Sequence, residues 1–425
     1  MKKVLIITYY WPPKGGVGVQ RWLKFSKYLS NTHYAPVIYT PQGGECNIRD
    51  ISLNDVVPPN IEVIHKNIYE PQSILNFFAS KKPSADILIS QHNSFFYKIL
   101  IWIRANLFIP DTRSLWISPS VKFLDNYLKN NNIDCIISTG PPHSMHMIAL
   151  QLVKKHNIKW IADFRDPWTG VEYFDKLPLL LSSKRKHFAL EREVLQRADV
   201  VLSVSQSWAN DFIKLGAKKT HVITNGYDMS DYKKLPTMQH ADVFKIGHFG
   251  LYNELRDHNF LWDVLYSISN DTEGFLSRLK LLFAGEVYSN FFDKIEEKNL
   301  LNHIEYYSHL PHSTAIQKMM ECDVLLVTQS DTNDALGRLP AKFFEYLATR
   351  IPIIAIGRKN SDLEAIMHNI SYCWFVDFNN TTLLYDTILH IYKIRNLNTT
   401  YNDDIDVFSR QNQVRELVKL MDSIC

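Results

Sequence analysis

The chain has 425 residues, more than one ordinary hydrophobic core accommodates, so two domains are expected. With 46% hydrophobic and 21% charged residues it is globular rather than disordered, and a net charge of +3 is too small to argue for a nucleic-acid partner. Cys46, Cys135, Cys322, Cys373 and Cys425 lie far apart with no C-x-x-C spacing, which fits a reducing compartment and argues against structural zinc.

Met1-Lys-Lys-Val-Leu-Ile-Ile runs straight into a strand, and its apolar stretch is too short for a signal peptide. No run of about 18 apolar residues follows, so no spanning helix is expected. The expectation is a cytoplasmic protein whose membrane contact is at most peripheral, at the inner face. Val4–Thr8, Ala35–Tyr39, Cys135–Ser138, Trp160–Asp163, Val200–Val204 and His221–Ile223 read as buried parallel strands. Amphipathic helices lie between them at Arg21–Leu29, His143–His156 and Lys184–Arg197. The pattern then restarts with strands at Lys245–Gly250, Lys280–Ala284, Ile304–Tyr306, Val324–Thr328, Ile353–Ile356 and Cys373–Val376, and helices at Asn259–Ser269, Ser313–Glu321 and Asp362–Met367. The seam falls in the polar stretch Lys233–Asp242, where neither period holds. The predicted class is α/β: two facing Rossmann-like doubly wound domains, 1–235 and 243–405, with a deep cleft between them. A last amphipathic helix, Ser409–Cys425 within 406–425, is expected to pack back on the N-terminal domain.

After the first strand, Tyr9-Tyr10-Trp11-Pro12-Pro13-Lys14-Gly15-Gly16 occupies the place of a phosphate loop. The dinucleotide fingerprint fails, because Gly16-x-Gly18-x-x puts Arg21 where a third glycine belongs, and no Gly-Lys-Ser/Thr exists. Gly15-Gly16 still permits close backbone approach to a diphosphate; the competing reading is a plain strand-to-helix turn. Between Tyr69 and Pro110, Phe77, Phe78, Phe95, Phe96, Tyr97, Trp102 and Phe108 alternate with Lys81, Lys82, Lys98 and Arg104. That mixture suits a lipid interface or a helical excursion packed on the first domain.

The stretch Arg338-Leu-Pro-Ala-Lys342-Phe-Phe-Glu345-Tyr-Leu-Ala predicts a helix opened by Pro340. Phe343, Phe344, Leu347 and Ala348 would face inward, while Lys342 and Glu345, three apart, share the outer face. A cation and a carboxylate at a helix start suit a ligand anionic at one end and hydroxyl-rich at the other, as a nucleotide sugar is.

Taken together, Tyr-Tyr-Trp-Pro-Pro-x-Gly-Gly, Ser138-Thr-Gly-Pro-Pro-His143-Ser, Ala162-Asp163-Phe-Arg165-Asp166-Pro-Trp168, Thr224-Asn225-Gly226-Tyr-Asp228, His248-Phe-Gly250, Phe283-Ala-Gly285 and Pro340-x-Lys-x-Phe-Glu-Tyr-Leu-Ala resemble the retaining glycosyltransferases of family 4, which have the GT-B fold. The resemblance implies a bacterial polysaccharide-type enzyme with a nucleotide-sugar donor in the C-terminal domain, a glycan or lipid-linked acceptor in the N-terminal domain, and no metal or other cofactor. Glu345 matches the second glutamate of the family's Glu-x7-Glu, which accepts from the donor ribose. Arg256 and Lys342 fall where the family places cations on the diphosphate, and Gly15 and Gly16 match the loop that closes over it. Gly337 and Arg338 complete the implied donor side.

Two departures stand out. Gly337 occupies the first glutamate position of Glu-x7-Glu, which usually touches the transferred sugar; Asp331, Asp334 or main-chain amides around Gly337 are the candidate replacements. After the strand Trp160–Asp163, Arg165 falls nearest the family's histidine slot, flanked by Asp163 and Asp166. Those carboxylates are candidates to orient or deprotonate an acceptor hydroxyl, against a local Asp–Arg network that closes the strand end. His143 is expected to point into the cleft; a metal pair with His146 lacks a third ligand. Asn225-Gly226 reads as a turn and His312 as a helix-start residue without chemistry. The competing functions are a nucleotide-sugar epimerase of the same fold and a non-catalytic nucleotide-sugar-binding protein.

Overall fold

A computed structural model describes residues 1–46, 48–70, 95–232, 242–395, 397 and 401–425. The chain divides into two compact units: Met1–Thr224 with Arg410–Cys425, and Asn225–Ser409.

In the first unit, β1 (Lys2–Ile7), β2 (Tyr34–Gln42), β3 (Glu62–Asn67), β4 (Cys135–Gly140), β5 (Lys159–Phe164), β6 (Val200–Ser203) and β7 (Thr220–Val222) form one sheet in the order β3-β2-β1-β4-β5-β6-β7. Every pairing is parallel. Alternation along β1 feeds two cores: Leu5 and Ile7 enter one face, Val4 and Ile6 the other. The helix Val17–Leu29 buries Val19, Trp22, Leu23 and Leu29 against the Val4/Ile6 face. The helix Arg410–Asp422 adds Val414, Leu417, Leu420 and Met421 to that same core, which is why the chain's last helix belongs to the first unit. β3 escapes the apolar pattern because it is a half-exposed edge strand carrying His65 and Lys66.

In the second unit, β8 (Phe244–Phe249), β9 (Leu279–Ala284), β10 (Ile304–Tyr307), β11 (Val324–Thr328), β12 (Ile353–Gly357) and β13 (Cys373–Asp377) order as β10-β9-β8-β11-β12-β13. This sheet is also parallel throughout. β11 sends Val324 and Leu326 to one core and Leu325 and Val327 to the other.

The unit boundary differs from the expected seam, most of which lies outside the described residues. Residues 225–232 already belong to the second unit for a visible reason. Tyr227 pairs with Ser409, its N–H donates to the Phe408 carbonyl at 3.1 Å, and the Tyr232 hydroxyl donates to the Glu345 carbonyl at 2.9 Å.

Both sheets reverse strand order once, between β1 and β4 and between β8 and β11. Ligands of doubly wound sheets bind outside the carboxyl ends of the strands at such points.

Candidate functional site

At the first switch point the sequence-predicted residues come together, but in different roles. Asp163, at the end of β5, is fully buried. Its carboxylate accepts from Arg21 Nη2 at 3.1 Å, Arg21 Nε at 3.3 Å, Trp22 Nε1 at 2.7 Å and Thr139 Oγ1 at 2.9 Å. Burial pushes its pKa up, but Arg21, Arg165 and the Trp22 and Thr139 donors outweigh it, so the net shift is downward. Asp163 is thus the centre of a closed network, not a base with a lone pair to offer. That corrects the acceptor-side expectation, because four protein donors already occupy the carboxylate. Arg21 completes the knot by donating to the carbonyls of Ile223 and Thr224 at 2.9 and 2.8 Å.

Arg165 is a strap. Its Nε donates to the Gly140 carbonyl at 3.3 Å, Nη1 to the Gly18 carbonyl at 3.3 Å and Nη2 to the Pro141 carbonyl. It ties the loop after β4 to the start of the first helix, so its guanidinium positions backbone. Asp166 follows it, half-buried.

His143 is 7% exposed, and its imidazole stacks on Trp168 at 4.9 Å with 6° between planes. His146, three residues on, is fully buried, stacks on Phe164 and shares a 2.8 Å hydrogen bond between Nδ1 and Ser138 Oγ. Burial lowers both imidazoles, His146 to about 3, and keeps them neutral. The two rings crowd Gly140, where a Cβ would lie 2.6 Å from His146 Nε2 and 3.0 Å from His143 Nδ1. Among the described residues no group of three or more His, Cys, Asp or Glu side chains is placed to hold a metal.

The glycine loop is built for backbone, not side chains. The Gly15 N–H donates to the Ile48 carbonyl at 2.7 Å, and a Cβ there would meet Ile48 Cγ2 at 2.8 Å. Gly16 has φ +88° and caps the helix Val17–Leu29, whose first turn has no acidic residue and no side-chain cap. Beside the loop lies a cluster that the sequence reading missed. Tyr9 donates to Glu70 at 2.7 Å, Arg113 Nε pairs with Glu70 at 2.8 Å, and Lys14 Nζ sits 3.6 Å over the Tyr9 ring. Burial lowers Lys14 to about 8, with Glu70 and Cys46 acting against it. The residues are far apart in sequence, so no motif announces them.

In the second unit, Lys342 and Glu345 lie on the helix Ala341–Thr349 behind Pro340, its N-cap. Phe343, Phe344 and Leu347 face the core. Lys342 Nζ donates to Glu345 Oε2 at 2.6 Å, and His312 Nε2 lies 3.6 Å from the same oxygen. Burial would raise Glu345, but Lys342 and His312 outweigh it and hold the carboxyl well below the usual range. Its side chain keeps 13% exposure. His312 does open a helix, His312–Met320, yet it also touches the key carboxylate, which the sequence reading denied it.

Gly337 and Arg338 form the end of a tight turn, and their amides donate to the carbonyls of Asp334 and Ala335 at 3.3 and 3.2 Å. Asp334 itself accepts from Thr332 Oγ1 at 2.6 Å and pairs with Arg338. So neither these two amides nor Asp334 is placed to replace the missing glutamate; Asp331 is exposed. The turn is held by a residue the sequence reading overlooked. Gln329, fully buried directly after β11, donates from Nε2 to the carbonyls of Arg338 and Ala335 at 2.7 and 3.3 Å and accepts from the Arg358 N–H at 3.2 Å. Its place at a switch-point strand end was the available signal.

Arg256 closes the turn Glu254–Arg256, and its Nη1 donates to the Leu251 carbonyl at 3.0 Å. Asp257 anchors that turn by accepting from Trp262 Nε1 at 2.6 Å, Tyr252 at 3.2 Å, Lys294 at 2.5 Å and the Tyr288 hydroxyl. Nearby, Gly250 and Gly285, both at φ +138°, bring two backbones so close that a Cβ on Gly285 would lie 2.2 Å from the Gly250 oxygen.

Residues 77–231 match the family model described as Glycosyltransferase Family 4. That span is similar to glycosyltransferase family 4. The family 4 resemblance read from the motifs is therefore borne out over that span. No curated protein sequence matches the chain. Among solved structures, a glycosyltransferase from Rickettsia africae ESF-5 is similar over 100% of this chain and 98% of its own, at 17% identity and a TM-score of 0.63. The lipopolysaccharide outer core galactosyltransferase WaaB is similar over all of both chains, at 14% identity and a TM-score of 0.58. A UDP-GlcNAc 2-epimerase from Methanocaldococcus jannaschii also shares the fold, over 99% of each chain at 12% identity and a TM-score of 0.54. The fold is GT-B, by its likeness to these structures and its two parallel sheets, and the family 4 match favours the transferase reading over the epimerase one.

Proposed function

We propose that the protein is a retaining glycosyltransferase of the hexosyl-transferring class. It would move a sugar from a nucleotide-diphosphate donor to a polysaccharide or lipid-linked acceptor in polysaccharide biosynthesis, at the cytoplasmic face of a membrane. The observation that carries the reading is the Lys342–Glu345 pair on the first turns of a helix. Glu345 is kept ionised while Lys342 and His312 both face one oxygen, Oε2, so Oε1 would accept from a ribose hydroxyl. Lys342, beside the helix start, and Arg256, in the turn Glu254–Arg256 that follows β8, would supply positive charge for the diphosphate. Negative charge grows on the leaving group as the glycosidic bond breaks, so these fixed groups stabilise the transition state more than the bound donor. Such cations would do the work a metal ion would otherwise do, so no metal or cofactor is assigned. With Asp163 closed off, no nucleophile or base is assigned either, in keeping with same-face attack.

Donor hydrolysis and transfer across a panel of nucleotide sugars test the reading. Turnover with at least one donor, lost in Glu345→Ala, is expected; absence of any donor effect together with an unchanged Glu345→Ala variant defeats it. Solvent deuterium entering the donor without acceptor would instead point to epimerisation. Among the described residues no helix is long and apolar enough to cross a membrane, so contact would be peripheral. Much of the expected contact stretch, including Lys81 and Lys82, lies outside the described residues, while Lys98 and Arg104 lie on the helix Phe95–Leu107. Flotation with anionic liposomes is expected, and should be abolished when Lys81, Lys82, Lys98 and Arg104 are all changed to Glu.

A further inference from the structure

Cys135 and Cys425 are separated in the chain by the whole second unit, yet their thiols share a hydrogen bond. Cys135 opens β4 and is fully buried in the core that the last helix completes. Cys425 packs on the edge of the same core and keeps partial exposure. The backbone explains the meeting. The chain curls back after the helix Arg410–Asp422, with the Ile424 and Cys425 N–H groups donating to the Met421 carbonyl at 3.0 and 2.8 Å. Asp422 pins this turn to the start of β2, accepting from the Tyr34 hydroxyl at 2.9 Å with His33 Nε2 at 2.9 Å from the same oxygen. β2, β1 and β4 are parallel neighbours, so the helix end lies across their amino ends and brings Cys425 to the first residue of β4.

The two sulfurs differ as an attacking thiol and its resolving partner should. The hydrogen bond with Cys135 holds the Cys425 thiol below its ordinary pKa, and Lys2 helps, against burial and the carboxylates of Asp134 and Asp199. Those carboxylates are engaged elsewhere: Asp134 accepts from the Lys3 N–H at 2.7 Å, and Asp199 from the Trp160 N–H at 2.9 Å and Lys159 at 3.1 Å. The same hydrogen bond, together with burial, pushes Cys135 well above its ordinary value. Its other acceptor, the Ile136 carbonyl, lies 3.6 Å away. Cys425 is therefore the accessible sulfur that ionises first, and Cys135 is a protonated thiol shielded from solvent beside it.

We propose that Cys135 and Cys425 are a reversible redox pair, oxidised by hydrogen peroxide to a disulfide that fastens the last helix to the sheet of the first unit. The Cys425 thiolate attacks one peroxide oxygen; an S–O bond forms, the O–O bond breaks, and the leaving hydroxide takes up the proton that Cys425 released, giving water. Cys135 then attacks the sulfur of the sulfenic acid; the S–S bond forms, the S–O bond breaks, and hydroxide leaves with the Cys135 proton as a second water. Two thiols have lost two electrons to one peroxide, and exchange with an external thiol reductant reverses the change. A reducing compartment keeps the pair as the dithiol, and disulfides formed there are transient and redox-sensing. The consequence is mechanical. The bridge closes a loop that contains the entire second unit, so the helix cannot leave the first unit's core and the unfolded chain is restricted. It sits at the amino end of β4, whereas Gly140 and the switch point lie at the carboxyl end, so the inference does not depend on the transferase reading.

The test uses the 425-residue chain, reduced, desalted, exposed to a small molar excess of hydrogen peroxide, alkylated with N-ethylmaleimide in urea and digested with trypsin without reductant. Trypsin releases Cys135 within 130–154 and Cys425 within 420–425. A species joining these two peptides, lighter by the two thiol hydrogens and split by dithiothreitol, is expected. Cys135→Ala should stop at the sulfenic acid and take a dimedone label at Cys425 that the parent does not accumulate. Oxidation should raise the parent's urea midpoint by about 1 M, the scale of one long-loop crosslink, and leave Cys425→Ser unmoved. A bridge from either cysteine to Cys46 or Cys373, a sulfinic Cys425 beside a free Cys135, or full alkylation of both thiols after peroxide overturns the proposal. An equal midpoint shift in Cys425→Ser overturns it too. Should Cys135→Ala lose its cooperative unfolding transition, the peptide map of the unaltered chain and the partly exposed Cys425→Ser variant decide the matter without it.

Discussion

Asp163 in the first unit and Glu345 in the second are both carboxylates held ionised, yet they do opposite work. Asp163 has no exposure and receives donors from Arg21, Trp22 and Thr139 on elements locked into one core. Glu345 keeps an exposed edge, and its two side-chain partners, Lys342 and His312, both face one oxygen. A depressed pKa is common to both, so ionisation alone does not mark a functional carboxylate. Saturation does: a group whose lone pairs are all taken holds structure, and one with an oxygen to spare can hold a ligand.

Substitution is the sharpest way to break this comparison. Asp163→Ala leaves Arg21 buried without its partner and should destabilise the first unit by about 3–5 kcal/mol in urea titrations. Glu345→Ala should move the same midpoint by no more than about 1 kcal/mol, the usual worth of a partly exposed pair. Equal losses would erase the distinction. The converse readout is turnover. Glu345→Gln should lower kcat/KM for the donor by about two to three orders of magnitude, the scale seen when one transition-state donor or acceptor is removed, with the fold unchanged. Retained turnover would return Glu345 to the role of a surface ion-pair partner.

Gln329 sharpens the comparison inside the second unit, since it holds the turn that presents Arg338. Gln329→Leu removes a donor from the Arg338 and Ala335 carbonyls and the acceptor of the Arg358 N–H and should cost about 1–3 kcal/mol, while Gln329→Glu should fare no better because a carboxylate cannot donate to the carbonyls. A Leu variant as stable as the parent would remove Gln329 from the account.

The smallest effect per step is the pH response, which the two units should share. An unfolded histidine binds its proton near pH 6.5, whereas burial holds folded His146 neutral to about 3 and His248 to about 4. Below pH 6.5 the unfolded chain therefore binds more protons, and stability falls as pH drops, by about 1.4 kcal/mol per pH unit for each group until its folded pKa is reached. Above 6.5 neither contributes a slope. Urea midpoints between pH 7.5 and 5.0 measure this, and His248→Phe should flatten the second unit's response; a midpoint indifferent to pH in the parent would refute it.

Much of the architecture was legible in the chain. All expected strands are present within two residues at each end, except that β2 runs three residues further, and β3 was missed only because an edge strand need not be apolar. The pairing of Lys342 with Glu345 followed from three-residue spacing on a helix. The domain seam was read from polarity, and it moved because Tyr227 and Tyr232 bind partners far along the chain. The fate of Asp163 was one of two open readings, and no local pattern could choose between them.

The amino-acid sequence by itself determined two doubly wound sheets, the glycine loop, the helix start at Pro340 and the family 4 kinship, because periodicity and backbone chemistry are properties of neighbours in the chain. The tertiary structure alone decided which polar groups are used up. Arg21 reaches Asp163 from 142 positions away, Gln329 ties the turn after β11 to the Arg358 N–H after β12, and the cavity beside His143 exists only where the helix Phe95–Leu107 meets Trp168 and Phe174. Hydrogen-bond saturation and enclosed volume depend on distances in space, and those are set only when the core has packed.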